Sequence, residues 1–432
     1  MTETDLFYEG AVMKRVSAST SAVYFGIESP DLSDGDFEGD WSFEVAVSTD
    51  DWYHSFEKDE SSNMLQTVGV DNGAALLTTR DLAEDSAEAQ AVMDSGPPYT
   101  LFVYNANSPQ LKTVRRSYCG LENYAEIASS KDETPSRRVI TSMTTRGPSK
   151  LPKQQFRIEG LDATTAYTAV LVRTGQQSLV KRQDGSSGSG GVRTFPETQF
   201  ETATGDNCKV ISDLDFCSDV GYSVPANEER FNTTALGKKY DDYARAMYSN
   251  FEKALQQIPC EAPITSRYSL VRSCDDCKNA YKNWLCTVVM PRCEDFFASD
   301  NPDALERNLG QEFPNGTSLD ASLVNRLTRD KGPGVNASRN SWIDKEIAPG
   351  PYKEVLPCDD VCYQLVQSCP ADLEFSCPLP DGDDGMFNMS YGQRKTDRSC
   401  NSLASPIRNT GARLAAGTML FLALAVSGLA VL

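Results

Sequence analysis

Twelve of the thirteen cysteines fall between residues 208 and 400, and that asymmetry limits the fold of the chain more than any other feature. They are Cys208, Cys217, Cys260, Cys274, Cys277, Cys286, Cys293, Cys358, Cys362, Cys369, Cys377 and Cys400, while Cys119 stands alone in the first half. Zinc sites use cysteine and histidine in paired short spacings. Here Cys274-Asp-Asp-Cys277 is the one C-x-x-C, and the single histidine, His54, is far away in sequence. Disulfides are the other reading, and they require an oxidising compartment. Four N-glycosylation sequons in the same half supply that context, at Asn232, Asn315, Asn336 and Asn388. The residues between 204 and 400 therefore read as a disulfide-stapled domain whose pairing is open. With an odd number of cysteines, at least one is free or paired between chains.

The net charge of −20 argues against nucleic acid as a partner, because an acidic chain is repelled by phosphate backbones. Residues 414–432 form an uncharged, mostly apolar run after Arg413, preceded by a 401–413 spacer. Such a run is long enough to cross a bilayer, and it also suits a GPI-attachment signal with small residues around Asn409-Thr-Gly-Ala. Residues 1–17 carry no apolar signal-peptide core, so the expectation is that a secretion signal is missing from this sequence.

Residues 18–203 read as β-sandwich-like, in one domain or two, with a second sandwich over 18–110. Val23, Phe25 and Ile27 alternate with residues of another character, as do Phe43, Val45 and Val47. Leu101–Tyr104, Phe156–Ile158 and Ala166–Val172 are further strand candidates. Leu161 is expected in the core, and Tyr167 is expected to tie a strand corner through its hydroxyl, as in fibronectin type III-like domains. The Gly/Ser-rich stretch from Lys181 to Arg193 is a domain linker or a long hairpin loop. Beyond residue 204 the pattern turns helical. Tyr243, Met247, Phe251, Leu255 and Ile258 mark one helix stripe. Tyr281, Trp284, Leu285 and Val288 mark a second, which Pro291 stops. Cys358, Cys362, Leu365 and Cys369 mark a third. Residues 298–347, rich in Asn, Asp and Gly, read as a surface excursion. The fold class is thus mixed and multi-domain, with a β-sandwich-like region followed by an α-rich cysteine-rich domain.

No nucleophile motif surrounds His54, and G-x-S-x-G, P-loop and H-E-x-x-H patterns are absent. His54 reads as a surface or edge-strand residue. The Asp381–Asp384 cluster lacks the final glutamate of an EF-hand loop and reads as a solvated loop. The sequence points to no catalytic residue, no metal and no cofactor.

Two long cysteine blocks carry a resemblance. One runs Cys274-Asp-Asp-Cys-Lys-Asn-Ala-Tyr-Lys-Asn-Trp-Leu-Cys-Thr-Val-Val-Met-Pro-Arg-Cys293. The other runs Pro349-Gly-Pro-Tyr-Lys-Glu-Val-Leu-Pro-Cys-Asp-Asp-Val-Cys-Tyr-Gln-Leu-Val-Gln-Ser-Cys-Pro370, followed by Phe375-Ser-Cys-Pro378. These blocks resemble the fungal stretch-activated calcium channel component, the mating-pheromone-induced-death family. They also look like the cysteine-rich domain of the auxiliary subunit of animal sodium-leak channels, which is similar to frizzled-type domains. The resemblance implies an auxiliary subunit that binds the extracellular face of a large four-repeat channel subunit at the plasma membrane. It supports calcium entry during mating or stress and is not an enzyme. Trp284 and Tyr352 are candidate partner contacts, because aromatics dominate interface hot spots; Trp284 as helix core is the competing reading. The alternative functions are a GPI-anchored frizzled-like receptor for lipid or wall polymer, and a wall enzyme.

Overall fold

A computed structural model describes residues 4–16, 23–28, 43–48, 52–130, 138–174, 191–258, 272–297, 304–380, 385–394 and 400–403. The chain divides into two compact units. The first holds Met1–Arg146, Lys150–Val210 and Gly221–Ser223; the second holds Gly147–Ser149, Ile211–Val220 and Val224–Leu432.

The strands of the first unit are β1 (His54–Phe56), β2 (Leu65–Val70), β3 (Ala74–Thr79), β4 (Tyr99–Asn105), β5 (Ile127–Ala128), β6 (Arg138–Thr144), β7 (Lys153–Glu159), β8 (Ala166–Arg173), β9 (Val192–Thr194) and β10 (Thr198–Glu201). One sheet runs β1-β9-β8-β4-β5 with β10 also on β8; the other runs β2-β3-β7-β6. Both sheets feed one core, which joins Leu65, Leu77, Leu101, Val103, Phe156, Ile158, Tyr167 and Leu171. Strands from residues 54 to 105 and from 127 to 201 interleave in these sheets, so the described strands make one sandwich rather than two.

Three helices stand in what the sequence pattern gave as all β: α1 (Ser86–Ser95), α2 (Pro109–Val114) and α3 (Tyr118–Tyr124). The last two cover the outer face of the first sheet, where Phe102, Tyr104, Val170 and Val172 meet Leu111 and Leu121. Layers on both sides explain why the middles of β4 and β8 are buried on both faces: Leu101 and Val103 face the sandwich core, Phe102 and Tyr104 face the helices. At the strand corner, the Asp162 N–H donates to the Tyr167 hydroxyl at 2.9 Å and Leu161 is buried. The β2–β3 turn is fixed by Asp71, whose Oδ1 accepts the Gly73 and Ala74 N–H groups at 2.8 and 2.7 Å.

Two strand expectations fail. Residues 23–28 and 43–48 form no ladder, and Phe25 and Phe43 are exposed. Alternation alone does not make a strand without a partner edge and a core to face. Between β9 and β10 the extended run is interrupted at Pro196, which cannot donate to a ladder. Strands β8 and β9 pair antiparallel, Val172 opposite Thr194, so residues 174–191 connect neighbours in one sheet.

Strands β11 (Cys208–Ile211) and β12 (Tyr222–Pro225) pair as a two-stranded sheet. The second unit contains α4 (Thr233–Leu255), α5 (Cys274–Val289), β13 (Arg292–Glu294), β14 (Ala304–Arg307), α6 (Ala321–Lys331), β15 (Tyr352–Val355), α7 (Asp359–Ser368) and α8 (Met386–Ser390). Helix α4 starts where Asn232 Oδ1 accepts the Ala235 N–H, and α5 starts with a Ser273/Asp276 capping box. The α4 stripe is rotated from the expected one: Leu236, Tyr240, Ala244, Phe251 and Leu255 are buried, while Met247 is 37% exposed.

Residues 304–347 are only in part a surface excursion: the two ends of the segment enter the core, while α6 between them buries no residue. Strand β14 pairs with β15, the central strand of the sheet β13-β15-β14. Leu309, Val335, Ile343 and Ile347 from the same segment are buried. The polar composition misled because few apolar side chains, placed at the right positions, suffice to dock a segment on a core.

Candidate functional site

Disulfides build the frame of the second unit. Cys217 is bridged to Cys286, Cys277 to Cys369, Cys358 to Cys400 and Cys362 to Cys377. Cys274 and Cys293 of this unit are disulfide-bonded as well, as is Cys208 of the first unit. Cys260 lies outside the described residues. Cys358 and Cys369 sit at the two caps of α7, and Cys362 sits inside it. The helix is thereby tied at both ends and in its first turns. Cys119 on α3 is a free thiol, its pKa pushed up to about 11 by burial and by the neighbouring Glu44 carboxylate.

Around the Cys277–Cys369 bridge the two long helices and the segment after α7 assemble a cluster of rings. Phe251 of α4 stacks on Tyr281 of α5 with centroids 3.8 Å apart. Phe375 lies 5.8 Å from Tyr281, Trp284 lies 5.6 Å from it, and Tyr248 lies 5.8 Å from Phe251. Phe216 extends the row, 5.2 Å from Tyr248, with Lys282 Nζ 4.7 Å over its ring. Phe251 is buried, whereas Tyr248, Tyr281, Trp284 and Phe375 keep part of their surface in solvent. Rings held by packing and by a disulfide lose little conformational freedom when a partner covers them. The cluster is therefore a preorganised, partly exposed apolar surface. Its signal in the sequence was the aromatic i, i+3 pairs Tyr248/Phe251 and Tyr281/Trp284; the joining of the two helices was not visible there.

The two candidate contacts part company. Trp284 belongs to the ring cluster and donates its Nε1–H to the Tyr391 hydroxyl at 2.9 Å. Tyr352 is fully buried on β15, its hydroxyl 3.1 Å from Ser338 Oγ, and burial pushes its pKa up. A side chain with no exposed surface cannot meet a partner, so Tyr352 is a core residue. The loop-like Pro349–Pro351 run before it hid the strand.

Beside Tyr352, β15 carries Glu354, which is fully buried between two guanidinium groups. Its Oε2 accepts from Arg307 Nε at 2.6 Å and its Oε1 from Arg339 Nε at 2.7 Å. Arg307 also donates to the Gly334 and Met389 carbonyls, and Arg339 to the Ser390 carbonyl. Burial alone would raise the Glu354 pKa, but the charges of Arg339 and Arg307 outweigh it and hold the carboxyl below its ordinary range. The triad ties β14, β15, the 334–339 segment and α8 together. The sequence held no local sign of it, since the three residues are separated by up to 47 positions.

All four sequon asparagines are exposed. Asn232 caps α4 and Asn315 accepts from the Thr317 N–H and hydroxyl, each through Oδ1. His54 lies on the edge strand β1, its Nε2 donating to the Arg116 carbonyl at 2.9 Å, and burial lowers its pKa. Among the described residues, no group of three His, Cys, Asp or Glu side chains is placed to hold a metal ion. Asp381–Asp384 and the 414–432 tail lie outside the described residues. Among the described residues, no helix is long and apolar enough to cross a membrane.

Comparison with known proteins places these features in company. The family described as stretch-activated Ca2+-permeable channel components matches residues 1–405. The stretch-activated cation channel yam8 of Schizosaccharomyces pombe is 35% identical over 341 residues, 78% of this chain and 59% of the relative. The stretch-activated cation channel MID1 of Saccharomyces cerevisiae is 32% identical over 395 residues, 87% of this chain and 65% of the relative. MID1 of Cryptococcus neoformans var. grubii is 27% identical over 199 residues, 44% of this chain and 30% of the relative. The chain thus spans less than two thirds of the length of these curated relatives. No solved structure matches it.

Proposed function

The chain belongs to the family of stretch-activated Ca2+-permeable channel components, and from that premise we propose that it is an auxiliary subunit. It binds the extracellular face of a large pore-forming subunit at the plasma membrane and supports calcium influx under mating or stress. The observation that carries this reading is the family match through residues 1–405, which takes in described residues of both units. The bridged helices favour a binding role, because they present the Phe216–Tyr248–Tyr281–Phe375 ring surface already ordered. The exposed sequons and the disulfides favour the oxidising, glycan-bearing side of the membrane. Residues 414–432 are apolar enough to hold the chain at that membrane, as a span or as a GPI signal.

The test is calcium uptake in fungal cells deleted for their own family member and expressing this chain behind a secretion signal. Uptake restored only when the large channel subunit is present supports the auxiliary role. Uptake restored without that subunit rejects it. Surface expression with no uptake in either background also rejects it, and lipid and glycan binding would then be measured for the receptor alternative.

A further inference from the structure

The N-terminal residues of the first unit occupy a built site. Tyr8 and Ala11 exchange backbone hydrogen bonds of 2.8 and 3.1 Å across a turn whose central residues, Glu9 and Gly10, both have positive φ, 48° and 87°. A Cβ on Gly10 would stand 2.8 Å from Val114 Cα, so the turn approaches α2 as closely as only glycine allows. The turn presents one carboxylate, Glu9. Its Oε2 accepts from Arg116 Nε at 3.1 Å and its Oε1 accepts from Arg115. Its backbone carbonyl accepts the Arg116 N–H at 3.0 Å. The Tyr8 ring stacks on Phe56 at 5.8 Å, with Lys58 Nζ 4.7 Å from the Tyr8 centroid.

The receiving groups are held independently of the turn. Arg116 is 4% exposed and donates to Glu197 at 3.0 Å and to the Phe195 carbonyl at 3.1 Å. Arg115 donates to Glu197 at 2.6 Å, while its Nε is buried without a partner. Without Glu9, two guanidinium groups would share one carboxylate in a largely buried place. An uncompensated buried cation is costly, so the empty cradle favours a carboxylate. The apolar attachment of the turn is confined to buried Ala11 and the Tyr8–Phe56 stack, since Phe7 is 50% and Tyr8 39% exposed. Charge-assisted hydrogen bonds from Arg115 and Arg116 are its polar attachment.

We propose that Arg115 and Arg116 form a recognition site for a carboxylate-bearing turn with an aromatic residue before the acid, and that Phe7–Ala11 is its ligand in cis. Residues 12–53 separate this ligand from β1, and covalent attachment raises its effective concentration, which hides the affinity of the site itself. The site does not depend on the channel role and would exist whatever the second unit binds.

The test uses the full chain, secreted and folded, with a specific protease site introduced between residues 30 and 40 and cut after purification. The N-terminal fragment is expected to remain with the rest of the protein in native mass spectrometry at micromolar concentration. Glu9→Gln should weaken retention about tenfold or more, as loss of a charge-assisted pair implies. Gly10→Ala should weaken it with the carboxylate intact, and a synthetic peptide of residues 4–16 should displace the fragment. Dissociation of the wild-type fragment on cutting would overturn the proposal, as would equal retention in Glu9→Gln.

Discussion

Removal of the Cys277–Cys369 bridge, compared with removal of Cys362–Cys377, separates two accounts of what the disulfides do. Both bridges end on or beside α7, but the first closes a separation of 92 residues and the second one of 15. If a bridge acts by restricting the unfolded chain, its contribution grows with the logarithm of the loop. The entropy relation gives about 4.6 kcal/mol for the long loop and about 3 kcal/mol for the short one. Paired Cys→Ala substitutions avoid leaving an unpaired thiol. Cys277 is completely buried within the ring cluster, so its truncation adds a packing loss and widens the difference. Urea unfolding of the secreted protein, followed by tryptophan fluorescence, should therefore place the Cys277→Ala/Cys369→Ala variant below Cys362→Ala/Cys377→Ala by about 1.6 kcal/mol or more. Equal losses, or a greater loss from the short loop, would refute the loop argument and locate the effect in native packing at the α7 N-terminal turns.

Single Cys286→Ser or Cys362→Ser substitutions should impair maturation, read as reduced surface level and altered glycan processing, because a lost native bridge costs about 2–5 kcal/mol. Glu354→Gln should destabilise by about 3–5 kcal/mol in denaturant unfolding, since it leaves the Arg307 and Arg339 charges buried without a counter-ion. The folded pKa of Glu354 is depressed below its ordinary value of 4.5, so its contribution is fully present above that pH. It is lost as pH falls through the folded value, and unfolding measured from pH 6 downward should steepen in the wild type and flatten in Glu354→Gln. Tyr167→Phe should cost about 1 kcal/mol through the lost Asp162 hydrogen bond, with no change in calcium uptake when surface level is matched.

Local chemistry determined a good deal of this protein from sequence alone. Short apolar runs placed β4 and β8, alternation placed β7, and the spacing of Leu161 and Tyr167 announced the strand corner, because all are short-range patterns. Cysteine density and sequons indicated a bridged second half, since that chemistry is read by residue type and needs no geometry. The cysteine blocks carried the family. Tertiary structure alone decided which cysteines meet, that the two ends of 304–347 enter the core, and that Tyr352 is interior while Trp284 shares a partly exposed cluster. It also decided the two charge assemblies, Glu354 with Arg307 and Arg339, and Glu9 with Arg115, Arg116 and Glu197. The physical reason is range. A turn, a cap or an alternating strand is fixed by neighbours within a few residues. Burial, bridge partners and counter-ions are fixed by groups tens of positions apart, and they acquire their meaning only when the chain has folded them into contact.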